Sequence, residues 1–204
     1  MNHKRPRDSS FDPATSALVQ RAASEDGERF ADLYQRVAPA IYAWASLRVG
    51  SGLKSVLDPE DVVQEVWCRA LDRFETYDAQ RASFRTWIFA IANNVLLESF
   101  RRIRRPSGLA GASAVLTVSE IPDEATSVSQ RVARDESLRA LIAHVTELEP
   151  DDRELLIYHG LEGLRHEDVA QLLSISADAA AKRWQRLLTR LRGLGFPDEL
   201  LATQ

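Results

Sequence analysis

Residues 177–192 carry chemistry-bearing side chains at a spacing that divides them into two faces. At 100° per residue, Ala180, Trp184, Leu187 and Leu191 fall on one stripe. Asp178, Lys182, Gln185, Arg186 and Thr189 fall on the other, flanked by Arg183 and Arg190. Five bases (Lys182, Arg183, Arg186, Arg190 and Arg192) stand against one acid, Asp178. Arg and Lys neutralise phosphates, and Arg and Gln also bond base edges in pairs, so a helix divided this way suits a DNA major groove. The preceding helix, expected over Glu167 to Leu173, offers Val169, Leu172 and Leu173 as an apolar face. Ser174-Ile175-Ser176 then supplies the short turn of a helix-turn-helix. The bland reading is an amphipathic helix whose charges are only solvated; the turn and the first helix favour DNA.

A second group lies between residues 58 and 105. A helix expected from Pro59 to Phe74 turns Asp61, Glu65, Cys68 and Asp72 outward, a ridge suited to a cationic partner or simply to solvent. A helix beginning near Ser83 turns Thr86, Ala90, Asn93, Leu97, Arg101 and Arg104 outward, with Asn94 on the flank. Amides followed by arginines can read bases and grip phosphates, or can form an ordinary polar face with a basic last turn. Phe89 and Phe100 are expected off the buried stripe, as a second contact surface or as packing against the linker or first helix. The intervening polar loop, TYDAQRAS, carries Tyr77, whose ring can stack on an unpaired base or pack inward.

Several chemistries receive no support. His3, His144, His159 and His166 form no metal-ligand spacing with Cys68, and no glycine-rich phosphate loop occurs, so neither metal, cofactor nor catalytic group is expected. The single cysteine excludes an internal disulfide and fits a reducing compartment. No apolar run is long enough for membrane insertion, and MNHKRPRDSS lacks the apolar core of a signal peptide, so a cytoplasmic protein is expected. The net charge of -4 is awkward for a DNA binder, but it resolves into blocks. Residues 99–105 and 177–192 are basic, whereas 58–66 and 106–130 are acidic.

The elements that must position these residues read as all-α. Residues 1–14 are expected to be a disordered tail. Phe30, Leu33, Tyr34, Val37, Ile41, Tyr42 and Leu47 mark a long helix, with a bend at Pro39 and a break at Gly50 and Gly52. Asp58 and Pro59 start the next as N-cap and first residue, burying Val62, Val63, Val66, Trp67, Ala70, Leu71 and Phe74. The third buries Phe84, Trp87, Ile88, Ile91, Val95 and Ser99. Residues 106–130, with Pro106, Gly108, Gly111 and Pro122, read as a flexible linker. Helical spacing resumes through Val132, Leu138, Leu141, Ile142, Val145 and Leu148. Pro150 opens a helix carrying Leu155, Leu156 and Leu161, whose end Gly160 and Gly163 loosen. Two small helical domains, 15–105 and 131–195, are therefore expected around the linker, with a C-terminal tail over 196–204.

Two blocks resemble bacterial RNA polymerase sigma factors of the sigma-70 family, extracytoplasmic-function (ECF) group. Residues 58–102 resemble sigma domain 2 through DPEDVVQE, then Phe84-Arg85-x-Trp87, Ile91-Ala92-x-Asn94 and Arg101-Arg102. Residues 148–192 resemble the helix-turn-helix of sigma domain 4. The resemblance implies that the acidic helix, with Asp61, Gln64, Glu65, Cys68 and Asp72, docks on the clamp coiled coil of the largest subunit of core RNA polymerase. It implies that Tyr77, Asn93, Asn94, Arg101 and Arg104 bind and help open the promoter -10 element. Asp178, Lys182, Arg183, Gln185, Arg186 and Arg190 would meet the -35 element, and the linker would pass near the polymerase active site. Promoter DNA is thus an implied partner and an anti-sigma factor a candidate one. The chain departs from the family at Ser174, where many members have glycine, and at Ala179-Ala180-Ala181-Lys182-Arg183, where Thr-Val-Lys-Ser-Arg is common. The expected function is a dissociable, non-catalytic sigma subunit. The alternatives are a helix-turn-helix regulator acting without polymerase and an all-helical protein–protein adaptor.

Overall fold

The computed structural model describes residues 27–53, 57–104 and 130–202. Helices α1 (Gly27–Leu53), α2 (Pro59–Arg73) and α3 (Phe84–Arg104) form the first half, with a 3-10 turn at Phe74–Thr76. The second half comprises α4 (Glu136–Thr146) and α5 (Pro150–Leu155), which widens into a π-helical turn at Leu156–Leu161, then α6 (His166–Leu173) and α7 (Ala177–Gly193). A 3-10 turn at Asp198–Leu200 follows. No strand occurs among the described residues, and no helix among them is long and apolar enough to cross a membrane. The expected tail at 1–14 and nearly all of the expected linker lie outside the described residues.

Local chemistry explains most boundaries. Asp58 caps α2, its carboxylate accepting the Glu60 N–H at 2.8 Å, and Pro59 needs no donor partner at the first position. Asp135 caps α4 through the Leu138 N–H at 3.1 Å. Contrary to the break expected at Gly50 and Gly52, α1 continues to Leu53. A helical glycine weakens a helix by only about 1 kcal/mol and does not by itself stop one.

The buried faces largely follow the apolar stripes, with instructive exceptions. Leu71 on α2 and Leu172 on α6 were expected inside but are exposed, Leu172 at 55%. Each sits about 100° from the centre of its helix's buried stripe, beyond the reach of the packing partner. Phe89 was expected off the stripe but is only 1% exposed, its ring edge-on to Trp44 at 5.8 Å. Both α1 and α2 pack on α3, and that widens its buried face. Trp87 and Ser99 are half-buried, the Ser99 hydroxyl donating to the Val95 carbonyl at 2.9 Å.

One apolar cluster runs through both halves. Helix α1 touches α2 and α3 on its own side, and α4, the π-helical turn and the final 3-10 turn on the other. Phe196, Leu200 and Leu201, in the segment expected as a tail, are buried, and the Ala202 N–H donates to the Gly160 carbonyl at 2.6 Å. Gly160, expected to loosen its helix, instead permits close packing. A Cβ there would lie 2.8 Å from both Leu156 Cδ1 and Trp184 Cη2.

Candidate nucleic-acid interface

The sequence places a recognition helix at 177–192, and α7 occupies that stretch with the expected orientation. Ala180, Trp184, Leu187 and Leu191 are buried, while Lys182, Gln185, Arg186 and Thr189 are exposed. Ser176 caps the helix by accepting the Ala179 N–H at 3.1 Å. The turn is closed by the Ile175 N–H donating to the Ala170 carbonyl at 3.0 Å, which requires Ser174 to adopt φ 55°, ψ 40°. Ser174 is thus in the left-handed region where many members of the resembled family have glycine.

The cations of α7 are not equivalent. Asp152, 9% exposed near the start of α5, accepts from Arg183 Nε at 2.5 Å and from Arg190 Nη1 at 2.9 Å. Asp151 accepts from Arg183 Nη1 at 2.8 Å. These bonds raise the Arg183 pKa further. Exposed Asp178 pairs with Lys182 at 2.8 Å, one turn along the same helix. The outward face therefore presents Lys182, Gln185 and Arg186 to a groove, while Arg183 and Arg190 are held on the flank by a carboxylate clamp. Spacing alone does not identify this clamp, because Asp151 and Asp152 lie in the first turn of α5, where acids already favour the helix dipole without any distant partner.

On α2, Asp61 and Asp72 are exposed, whereas Gln64, Glu65 and Cys68 are half-buried. Burial and the neighbouring Asp58 push the Asp61 pKa up. Glu65 accepts from Arg69 Nε at 2.6 Å, and Arg69 Nη2 lies 2.7 Å from Glu98 on α3. The ridge expected as three outward carboxylates is thus corrected to two exposed acids around a bridged Glu65. Burial, then the charges of Glu65 and Asp72, raise the Cys68 thiol pKa, so it is a poor nucleophile at neutral pH.

Tyr77 is half-buried in an aromatic cluster. Its ring lies 5.4 Å from Trp87, 5.7 Å from Phe84 and 6.3 Å from Phe74, and its hydroxyl donates to the Ala82 carbonyl at 3.3 Å. Asn93 donates to the Phe89 carbonyl of its own helix at 3.0 Å, whereas Asn94 and Arg101 are exposed on α3. Arg104 is the last residue of α3. Among the described residues, no cluster of three or more His, Cys, Asp or Glu is placed to hold a metal ion.

Sequence reasoning missed the contacts that join the halves. Glu162, 7% exposed at the end of the π-helical turn, accepts from Trp44 Nε1 and Arg48 Nη2 of α1, each at 2.7 Å. The Arg48 guanidinium also lies over the Tyr158 ring, 4.8 Å from its centre. Arg85 of α3 donates through Nε to the Leu161 carbonyl at 2.6 Å and through Nη2 to the Leu200 carbonyl. The available signal was an acid ending an apolar run, which does not specify a partner more than a hundred residues away in sequence.

A helix-turn-helix with an outward cationic face, joined to a three-helix unit with acidic and basic faces, defines a nucleic-acid-binding regulator of two parts. Residues 33–106 match the family model described as Sigma-70 region 2, and residues 138–191 match Sigma-70, region 4. The chain is 31% identical over 190 residues to the RNA polymerase sigma factor NccH of Alcaligenes xylosoxydans xylosoxydans, covering 90% of this chain and 96% of that one. It is 26% identical to the ECF RNA polymerase sigma factor BldN of Streptomyces coelicolor, over 97% of this chain and 71% of that one. A solved chain described as "Structure of CnrH in complex with the cytosolic domain of CnrY" matches at TM-score 0.41 and 23% identity, covering 89% and 96% of the two chains. The protein belongs to the sigma-70 family, ECF group, and is a sigma subunit for transcription initiation.

Proposed function

We propose that this sigma subunit, without catalysis of its own, works through three separate surfaces. The α2 ridge, with Asp61, Gln64, Glu65, Cys68 and Asp72, docks on the clamp coiled coil of the polymerase largest subunit. Helix α3 and the loop before it, through Tyr77, Asn93, Asn94, Arg101 and Arg104, hold and help open the -10 element. The outer face of α7 reads the -35 element, with Arg186 on a base and Lys182 on phosphate, while Asp178, Arg183, Gln185 and Arg190 set the approach. Residues 15–105 and 131–195 are the two functional units, 106–130 their tether, and the protein acts in the cytoplasm with the polymerase. An anti-sigma factor is a candidate partner through the family resemblance.

The observation that carries this reading is the division of α7 into a buried apolar stripe and an exposed face of Lys182, Gln185 and Arg186, in a chain that also carries a three-helix unit with a separate acidic ridge. Transcription with purified core polymerase tests it. The full chain should co-elute with core enzyme and direct initiation from a defined start site. Binding to promoter DNA with no effect of core polymerase would instead mark a regulator that acts alone.

A further inference from the structure

We infer that Leu97 of α3 is a specificity-determining residue for the -10 element, its exposed side chain covering the C5-methyl group of one thymine. The inference deepens the reading of α3 given above and rests on it.

Leu97 is 51% exposed, although Val95 and Leu96 immediately before it are buried. A single exposed leucine needs no explanation by itself, and Leu71, Leu172 and Leu194 are exposed too. What distinguishes Leu97 is its surroundings. On the helix, Ala90, Asn93, Asn94 and Arg101 all lie within about 60° of it. Ala90, Asn94 and Arg101 are exposed with it, and Arg102 is exposed in the following turn. Leu97 therefore stands at the centre of a face, with an amide one turn before it and a guanidinium one turn after. The neighbouring acid, Glu98, is bridged to Arg69 of α2 at 2.7 Å, so its charge is already met by a cation. The face stays cationic. Exposed Arg101 and Arg102 complement a phosphate backbone, which makes the occupant a nucleic-acid strand rather than an apolar helix.

What Leu97 adds to such a face follows from its chemistry. Asn94 can bond a base edge and Arg101 a base or a phosphate, but neither recognises a base by its apolar surface. Leucine donates and accepts nothing, so against a base edge it favours the position whose outer group is carbon. Thymine alone among the four bases of DNA presents a methyl group there. Cytosine in the same place presents an amino donor, which leucine would leave unpaired. Spacing suits one contact of this kind. Asn94 and Arg101 stand about 10 Å apart along the helix axis, the rise of about three stacked bases, and Leu97 falls between them. The methyl group is present in paired and separated strands alike, so the contact can persist through strand opening.

The test pairs a change in the protein with the loss of one methyl group from the DNA. A promoter is selected by wild-type holoenzyme from a pool randomised over the downstream element. Each thymine of that element, on either strand, is then replaced in turn by uracil. Wild type should bind at least one substituted promoter about fourfold more weakly than the parent, the worth of one buried methyl group. Leu97→Ala should bind the parent promoter more weakly and be indifferent to that uracil, whereas Leu97→Met should keep the sensitivity. Alanine favours a helix and the position is exposed, so the variant should fold as wild type does, which circular dichroism checks. A wild type with no uracil-sensitive position, or L97A with undiminished sensitivity at every such position, overturns the inference. So does L97A that loses affinity for core polymerase in the absence of DNA, because the leucine would then dock protein. A wild type indifferent to scrambling of the whole downstream element would overturn the -10 reading of α3 itself, which failure of the uracil scan alone leaves standing.

Discussion

Single residues here reveal where backbone or packing leaves no latitude. Ser174 holds a left-handed conformation that an L side chain enters at a penalty of about 1–2 kcal/mol, partly offset by the chain entropy glycine would lose there. Ser174→Gly should therefore stabilise the protein by about 0.5–1 kcal/mol, read as a higher denaturant midpoint with unchanged slope. Gly160→Ala should do the reverse. Its methyl would press on Leu156 and Trp184, an overpacking that typically destabilises by about 1–3 kcal/mol. A Gly160→Ala variant as stable as wild type would mean that the Trp184 ring can yield. The two positions also show how residue type is read from sequence. Ser174 stood out as a departure from the family pattern, and its backbone angle supplies the reason. Gly160 was expected to loosen a helix end, because closeness to a ring from another helix has no signature in local spacing.

At the scale of elements, the helices were legible because their stripes, caps and prolines agree. Asp58 and Pro59 start α2 and Pro150 starts α5, while α6 and α7 are separated by the expected three-residue turn. What periodicity could not supply was the width of each buried face, which depends on how many neighbours a helix has. Hence Phe89 is inside and Leu71 outside. The candidate site was legible in the same partial way: the outward face of α7 is as expected, but the clamp on its flank is a long-range arrangement. That clamp makes a prediction of its own. Asp152→Asn preserves shape while removing the charge that holds Arg190; Arg183 keeps Asp151. The freed arginine should add one phosphate contact, so nonspecific duplex affinity should rise and the slope of log affinity against log salt should steepen by about 0.9. Discrimination between the upstream element and a scrambled duplex should fall. A variant with lower melting temperature but the same slope and discrimination would show that Asp152 only packs α7 against α5.

For the whole molecule, the buried histidine beneath α7 ties stability to pH. His159 packs 4.8 Å from the Trp184 ring and 3.9 Å from His166, with its Nδ1 2.7 Å from the Leu164 carbonyl. Burial pushes its pKa from 6.5 down to about 4, against the opposing pull of the Leu164 carbonyl and with help from His166. His166 is lowered too, by burial, so the pair titrates in one direction. Above pH 6.5 His159 is neutral in both folded and unfolded chains, and its contribution to stability is complete. As pH falls from 6.5 towards 4, the unfolded chain takes up a proton that the folded chain refuses. Stability is then lost by up to 1.36 kcal/mol per pH unit, about 3 kcal/mol over the whole window. Since His159 adjoins Gly160 and Leu161, whose carbonyls receive Ala202 and Arg85, this loss reaches the join between the halves as well as the second core. Denaturant midpoints should therefore fall between pH 7.5 and 5 in the wild type. They should fall less in His159→Gln, which removes the titrating ring while retaining an amide donor for the Leu164 carbonyl. Restricting the comparison to pH 5 and above leaves most carboxylate titration outside the window. An equal fall in both proteins would assign the acid sensitivity elsewhere and leave His159 a neutral packing residue with no share in it.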